Sequence, residues 1–240
     1  GHASLMGIAG RQRAPAGLRE LFDELLRCFE DGAQGVLHGH EALNLAGALV
    51  DRHDHRVAQQ LLRAVLLRVA DAAVDLHAMN DQVDRGANFH ELLASMADQH
   101  PEWREELGIW HDQWIEMASP EIPHSVRLLR ALRAKGVPVF ALTNFGVQTF
   151  EIAEPVYPFL TEFDKRYISG HMGVVKPGSE IYQLAEADCG IAPGGLLFAD
   201  DKAENIEAAA ARGWQVHLFD GPEGWASRLE AEGLLQKGQA

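Results

Sequence analysis

Three observations predict an α/β chain built on a parallel, Rossmann-like sheet with an inserted helical domain. Short apolar runs at 137–142 and 196–199 each stop abruptly at polar residues, Thr143-Asn144 and Asp200-Asp201, as buried parallel strands do at their C-terminal edge. Segments of helical periodicity lie between such runs, and strands alternating with helices of about 10–15 residues give parallel sheets with right-handed crossovers. Ahead of Pro123, helical sequence fills 56–117 with no strand alternation.

Taken in order, residues 1–42 contain one amphipathic stretch, 18–29, in which Leu18, Leu21, Phe22, Leu25, Leu26 and Phe29 share a helical face. Nothing in 1–42 reads as a buried strand, and Gly1-His2 is set aside as a tag remnant. Residues 43–50, L-N-L-A-G-A-L-V, fit a strand and turn. Helices are expected over 56–76, 87–99 and 101–117, the last opened by Pro101. Trp103, Trp110 and Trp114 recur along it at helical spacing, which reads as packing and not as a ligand box. His38, His40, His53 and His55 show H-x-H spacing without cysteines or a helical H-E-x-x-H, so they read as surface residues.

After Pro123, residues 125–135 form an amphipathic helix with Val126, Leu128, Leu129 and Leu132 inward and Gly136 as its stop. The strand 137–142 delivers Thr143-Asn144, and the short helix behind it breaks near Pro155 and Pro158. A short strand at 166–169 precedes G-V-V-K-P at 173–177, which leads into a helix at 179–188. The run 196–199 ends in the acid pair, and the Ala-rich stretch beyond closes at Gly213 as a helix. A strand at 215–219 and a helix at 222–235 complete the chain. The expected organisation is a core of 1–55 and 118–240 and a helical insertion at 56–117.

Composition narrows the function. At 240 residues the chain holds one ordinary domain with a sizeable insertion, and 47% hydrophobic with 23% charged residues is globular. The net charge of -14 argues against nucleic acid or an anionic membrane as partner, so an anionic substrate needs local cations or a metal. All five lysines (135, 165, 176, 202, 237) fall in the second half. Cys28 and Cys189 are too few for a disulfide framework, which together with the lack of an apolar run of about 18 residues predicts a cytoplasmic protein.

Three strand ends present, in chain order, a hydroxyl at Thr143, an ammonium at Lys176 and the acid pair Asp200-Asp201. Adjacent carboxylates repel and usually hold a cation, for which hard, oxygen-seeking Mg²⁺ is the natural choice; the bland reading is that they cap the following helix. Thr143 can donate to a phosphoryl oxygen, Lys176 can neutralise charge on it, and the acids can hold Mg²⁺ against another oxygen.

These residues carry a resemblance. A-L-T-N-F-G at 141–146, V-V-K-P-G-S-E-I-Y at 174–182 and L-L-F-A-D-D-K-A-E-N-I-E-A-A at 196–209 resemble the second, third and fourth motifs of the haloacid dehalogenase (HAD) superfamily of hydrolases. The helical segment before them is similar to the family's C1-type cap, with M-N-D-Q-V-D-R-G at 79–86 like cap sequence in phosphatase-like members. The resemblance implies that Thr143 and the Asn144 backbone bind the phosphoryl group and that Lys176 pairs with nucleophile and substrate. It further implies that Asp200, helped by Asp201, ligates Mg²⁺. Receiver domains use the same residue types, but with the acid pair first and the lysine last, so order along the chain excludes them. The family's first motif, an apolar strand ending in Asp-x-Asp or Phe-Asp-x-Gly-x-Val-Leu with an aspartate nucleophile, has no matching string. By spacing from the cap, Asn44 occupies the nucleophile slot, with Asp31 and Asp51 as other candidates. The expected function is Mg²⁺-dependent hydrolysis of a small phosphate ester through an aspartyl-phosphate, by a monomer or homodimer. The alternatives are a catalytically silent relative that binds a phosphorylated ligand or partner, and a metal-independent haloacid dehalogenase.

Overall fold

A computed structural model of the chain describes residues 3–6, 74–118 and 120–238. They fall into two compact units, one of 3–6, 79–92 and 113–238, the other of 74–78 and 93–112. The second unit takes the N-terminal end of helix α1 (Leu76–Asp84) and most of α2 (Phe89–Gln99) and α3 (Arg104–Met117). Within it Arg104 Nη2 meets Asp98 Oδ1 at 2.9 Å.

The first unit is organised by a five-stranded sheet of β1 (Ala3–Met6), β2 (Val139–Thr143), β3 (Lys165–Ile168), β4 (Leu196–Asp200) and β5 (Gln215–Leu218). The strand order is β3-β2-β1-β4-β5, and every pair is parallel. The expectation that 1–42 holds no buried strand is therefore corrected: Ala3–Met6 is the central strand, directly after the two residues set aside as a tag remnant. Four residues, A-S-L-M, are too short a run to show periodicity, which is why the sequence hides them. The connection from β1 to β2 runs to one side and that from β3 to β4 to the other, so ligand space lies beyond the strand C-termini beside β1.

Strands β2 and β4 are buried at every residue, as central parallel strands covered on both faces must be. The alternation of side chains divides them between two cores. Phe140 and Leu142 of β2 and Leu196 and Phe198 of β4 face one side, where α7 (Ser179–Cys189) supplies Ile181 and Tyr182 and α8 (Ala203–Ala211) supplies Ala209. Val139, Ala141, Leu197 and Ala199 face the other, packed by Leu128, Leu129 and Leu132 of α4 (Pro123–Ala134) and by Trp225 and Leu229 of α9 (Pro222–Ala231). Helix α5 (Val147–Val156) carries Pro155 in its last turn, at the cost of one backbone hydrogen bond close to where the helix stops, and α6 (Ser169–Met172) leaves β3 directly. Trp114 meets Phe145 and Phe89 edge-on at centroid distances of 5.5 and 6.5 Å, the packing role expected of it.

Candidate active site at the strand C-termini

Register fixes which residues reach the rim. Met6 of β1 lies beside Ala141 and Ala199, so Asp200 stands one residue beyond it and Thr143 two. Both neighbours of the central strand thus end in polar residues that are almost wholly buried, Thr143 at 1% and Asp200 at 2% exposure.

Lys176 joins them. Its Nζ, on a side chain with 4% exposure, donates to the Leu142 carbonyl at 3.0 Å and to Asp200 Oδ2 at 2.5 Å, and lies 5.5 Å from the centre of the Phe198 ring. Burial pulls the ammonium's pKa down, and the charges of Asp200 and Asp201 resist the shift. The backbone of Lys176, which precedes a cis-proline peptide to Pro177, is fixed by Asn144. Asn144 Nδ2 donates to the Lys176 carbonyl at 2.9 Å, and its Oδ1 accepts from the Lys176 N–H at 2.8 Å. The loop after β2 and the loop before α7 are therefore held as one piece.

Asp200 is fully employed. Besides Lys176 on Oδ2, its Oδ1 accepts from the Lys202 N–H and from Asn205 Nδ2, each at 2.9 Å. Asn205, in the first turn of α8, offers its carbonyl to Tyr182 Oη at 3.0 Å, which ties this arrangement to α7. Asp201 differs: its Oδ1 is buried and has no hydrogen-bond partner among the described residues. Burial raises the carboxyl's pKa, and the neighbouring Asp200 charge raises it further. A buried acceptor without a donor is costly, and a hard cation with its waters removes that cost. The donor set thus fits Mg²⁺ through Asp201, while among the described residues no three His, Cys, Asp or Glu side chains gather as a closed metal cage.

Of the residues singled out in the sequence, Asn144, Lys176 and Asp200 are joined by direct bonds, Thr143 and Asp201 adjoin them in the chain, and the Thr143 hydroxyl lies 3.5 Å from the Asn144 carbonyl. Asn44, Asp31 and Asp51 lie outside the described residues, as do His38, His40, His53 and His55. Strand β4 lies between β5 and β1, and the four residues that follow β1, Gly7-Ile8-Ala9-Gly10, contain no carboxylate. Sequence reasoning missed Asn205 and Ser169. An amide at the start of an Ala-rich helix, five residues after an acid, was the available signal for the first. Ser169 is fully buried and its Oγ accepts from the Phe145 N–H at 2.9 Å, and no local pattern announces it.

Comparison with known proteins gives concordant results. The family model for haloacid dehalogenase-like hydrolase matches residues 17–213. The chain is 33% identical over 94 residues to a sesquiterpene phosphatase of Aspergillus oryzae, covering 39% of this chain and 48% of that protein. It is 30% identical over 117 residues to acyl-CoA dehydrogenase family member 10 of Mus musculus, covering 48% of this chain and 11% of that protein. The matches thus span about half or less of these relatives. Among solved structures, a HAD family enzyme of Bacteroides thetaiotaomicron superposes with a TM-score of 0.54 at 19% identity, over 95% of this chain and 98% of the other. A HAD-like family hydrolase of Porphyromonas gingivalis gives 0.56 at 20% identity, over 72% and 90%. Both likenesses concern the fold.

Proposed function

This chain belongs to the haloacid dehalogenase-like hydrolases, and from that premise we propose that its rim hydrolyses a small phosphate ester with the help of Mg²⁺. The observation that carries the reading is the buried Lys176–Asp200 pair with the unpartnered Asp201 oxygen beside it. Such a rim offers a fixed cationic donor and an open anionic acceptor side by side, which suits a phosphoryl group accompanied by a divalent cation.

In this reading Asp201 is the leading ligand for Mg²⁺. Asp200 acts mainly by holding Lys176 and Asn205 in place, because its oxygens already serve three donors. When bound, Mg²⁺ neutralises phosphoryl charge in a protein whose overall field repels anions. Two of the three Lys176 N–H groups are engaged by Leu142 and Asp200, and the ammonium directs its remaining donor capacity to the substrate. The Thr143 hydroxyl binds a phosphoryl oxygen, and the Asn144 amide keeps the Lys176 loop in register. In this reading the insertion at 56–117 serves as a cap that excludes bulk water and selects the substrate. Support comes from the phosphatase of Aspergillus oryzae among the relatives and from a magnesium complex of the Bacteroides enzyme, which superposes with a TM-score of 0.53.

A second reading has its own observation: none of the four residues directly after β1, where the family's aspartate nucleophile is expected, is a carboxylate. In that case the rim binds a phosphorylated ligand without turning it over. Turnover of p-nitrophenyl phosphate, measured with Mg²⁺ and after chelation and compared with chloride release from 2-chloropropionate, tests the two. Mg²⁺-dependent nitrophenol release is expected. No turnover, with phosphate plus Mg²⁺ still raising the melting temperature, selects the binding reading. Chloride release that survives chelation overturns both.

A further inference from the structure

One carboxyl group outside the Lys176–Asp200–Asp201 cluster combines partial burial with a place at the same rim. Asp84 is the last residue of α1, and the residues around it are pressed onto the loops that leave β2 and β3. Val83 fills the space where a side chain at Gly146 would go. Gly86, at φ 101°, passes so close to Gly170 that a Cβ would stand 2.7 Å from its carbonyl oxygen. A Cβ on Gly170 would in turn meet the Phe145 carbonyl and the Val147 N–H at 2.8 Å each, and the Phe89 N–H donates to Gln148 Oε1 at 3.2 Å. Since this loop begins at Thr143-Asn144, these contacts set the end of α1 against the loop that leaves the proposed phosphoryl site. Asn80 Nδ2 holds Asp84 Oδ2 at 3.1 Å. The charges that act on the group are Asp81 of α1, Arg85 from the turn that follows, and Lys176 and Lys202 from the rim.

We propose that Asp84 is the proton carrier for the leaving group, giving its proton to the ester oxygen of a phosphate monoester. The assignment rests on the phosphatase reading above. As the bond between phosphorus and the ester oxygen breaks, its electron pair goes to that oxygen, which takes the Asp84 proton and departs as an alcohol. Water supplies the oxygen of the new bond to phosphorus, and the proton it releases restores the Asp84 carboxyl. Burial, reinforced by Asp81, holds this carboxyl at about 6 against the opposing pull of Lys202, Lys176 and Arg85, so both protonation states are populated near neutral pH.

The test is leaving-group dependence. An alkyl ester such as glycerol 2-phosphate needs the proton, whereas p-nitrophenolate departs with little help. Asp84→Asn is expected to lower kcat for the alkyl ester by about 100-fold or more, the lower end of general acid catalysis, and by at least about 10-fold more than for the aryl ester. In the wild-type enzyme the alkyl-ester rate falls as pH rises through about 6, and that limb is lost in the variant. Asp84→Glu, which restores an acid, recovers part of the alkyl-ester rate. Equal losses on both esters in a variant with unchanged melting temperature, or no loss on either, overturn the assignment while leaving the phosphatase reading intact. A wild-type protein that turns over neither ester removes that reading and the assignment with it.

Discussion

Removing one member of the buried Lys176–Asp200 pair leaves a charge that water cannot reach. Asp200→Asn keeps the shape of the side chain but confronts the Lys176 ammonium, 4% exposed, with a neutral amide. Of its contacts, only the Leu142 carbonyl then offers a full acceptor, and the nearby Phe198 face compensates weakly. Breaking a buried pair in this way costs about 3–5 kcal/mol. For a chain of this size, where each kcal/mol moves the midpoint by about 2–4 °C, the melting temperature is expected to fall by roughly 6–20 °C. Lys176→Met strands the Asp200 carboxylate instead, although the Lys202 N–H and Asn205 still serve its Oδ1, so its cost lies toward the lower end. The double variant removes both charges and is expected to be more stable than the sum of the two single losses by at least about 2 kcal/mol, since a neutral replacement of a buried pair is often close to neutral overall. Urea denaturation of the four proteins measures this. Additivity within about 0.5 kcal/mol, or single losses below about 1 kcal/mol, refutes the account of the pair as an isolated, mutually dependent unit.

Three other outcomes follow. Asp201→Asn removes the open anionic oxygen while leaving the Asp200 bonds in place, so Mg²⁺ should no longer raise the melting temperature; an undiminished rise excludes Asp201 as the metal ligand. Gly86→Ala should destabilise the protein by about 1–3 kcal/mol in thermal or urea unfolding, because its φ of 101° and the Gly170 oxygen both oppose a side chain. Glu186 accepts from Arg212 and from Trp214 Nε1 at 2.7 Å, and the Arg212 hydrogen bond holds its carboxyl below the ordinary glutamate range. Its contribution to stability is therefore complete above the ordinary value of 4.5 and lost as pH falls through the lower folded value, and Glu186→Gln should flatten that part of the acid unfolding curve.

The sheet downstream of Pro123 was legible because each strand there is an apolar run with a polar stop, and each helix carries its own punctuation. Val139–Thr143 and Leu196–Asp200 differ from the expected spans by one or two residues, since Pro138 delays the first ladder and Asp200 extends the second. The central strand escaped notice because four residues between His2 and Gly7 leave no pattern, and its neighbours, not its own sequence, hold it in register. At the site, residue types and order named the side chains that meet, yet not their division of labour. Adjacent aspartates look alike in sequence, and only the strand end shows that one is surrounded by donors and the other is left with an empty acceptor. Asp84 was hidden for a related reason: M-N-D-Q-V-D-R-G reads as cap sequence, and only the fold sets Val83 and Gly86, on either side of Asp84, against Gly146 and Gly170.

The Asn144 side chain reads the Lys176 peptide as a neighbouring strand would, with one group offered and one received. Direction, rather than bulk or charge, therefore decides what can stand there. An aspartate of the same outline would turn two lone-pair surfaces toward a carbonyl, and a glutamine would overshoot by one carbon. The amide thus acts as a rung of sheet placed where the sheet itself has ended, and it lets an irregular turn keep the geometric tolerance of regular structure.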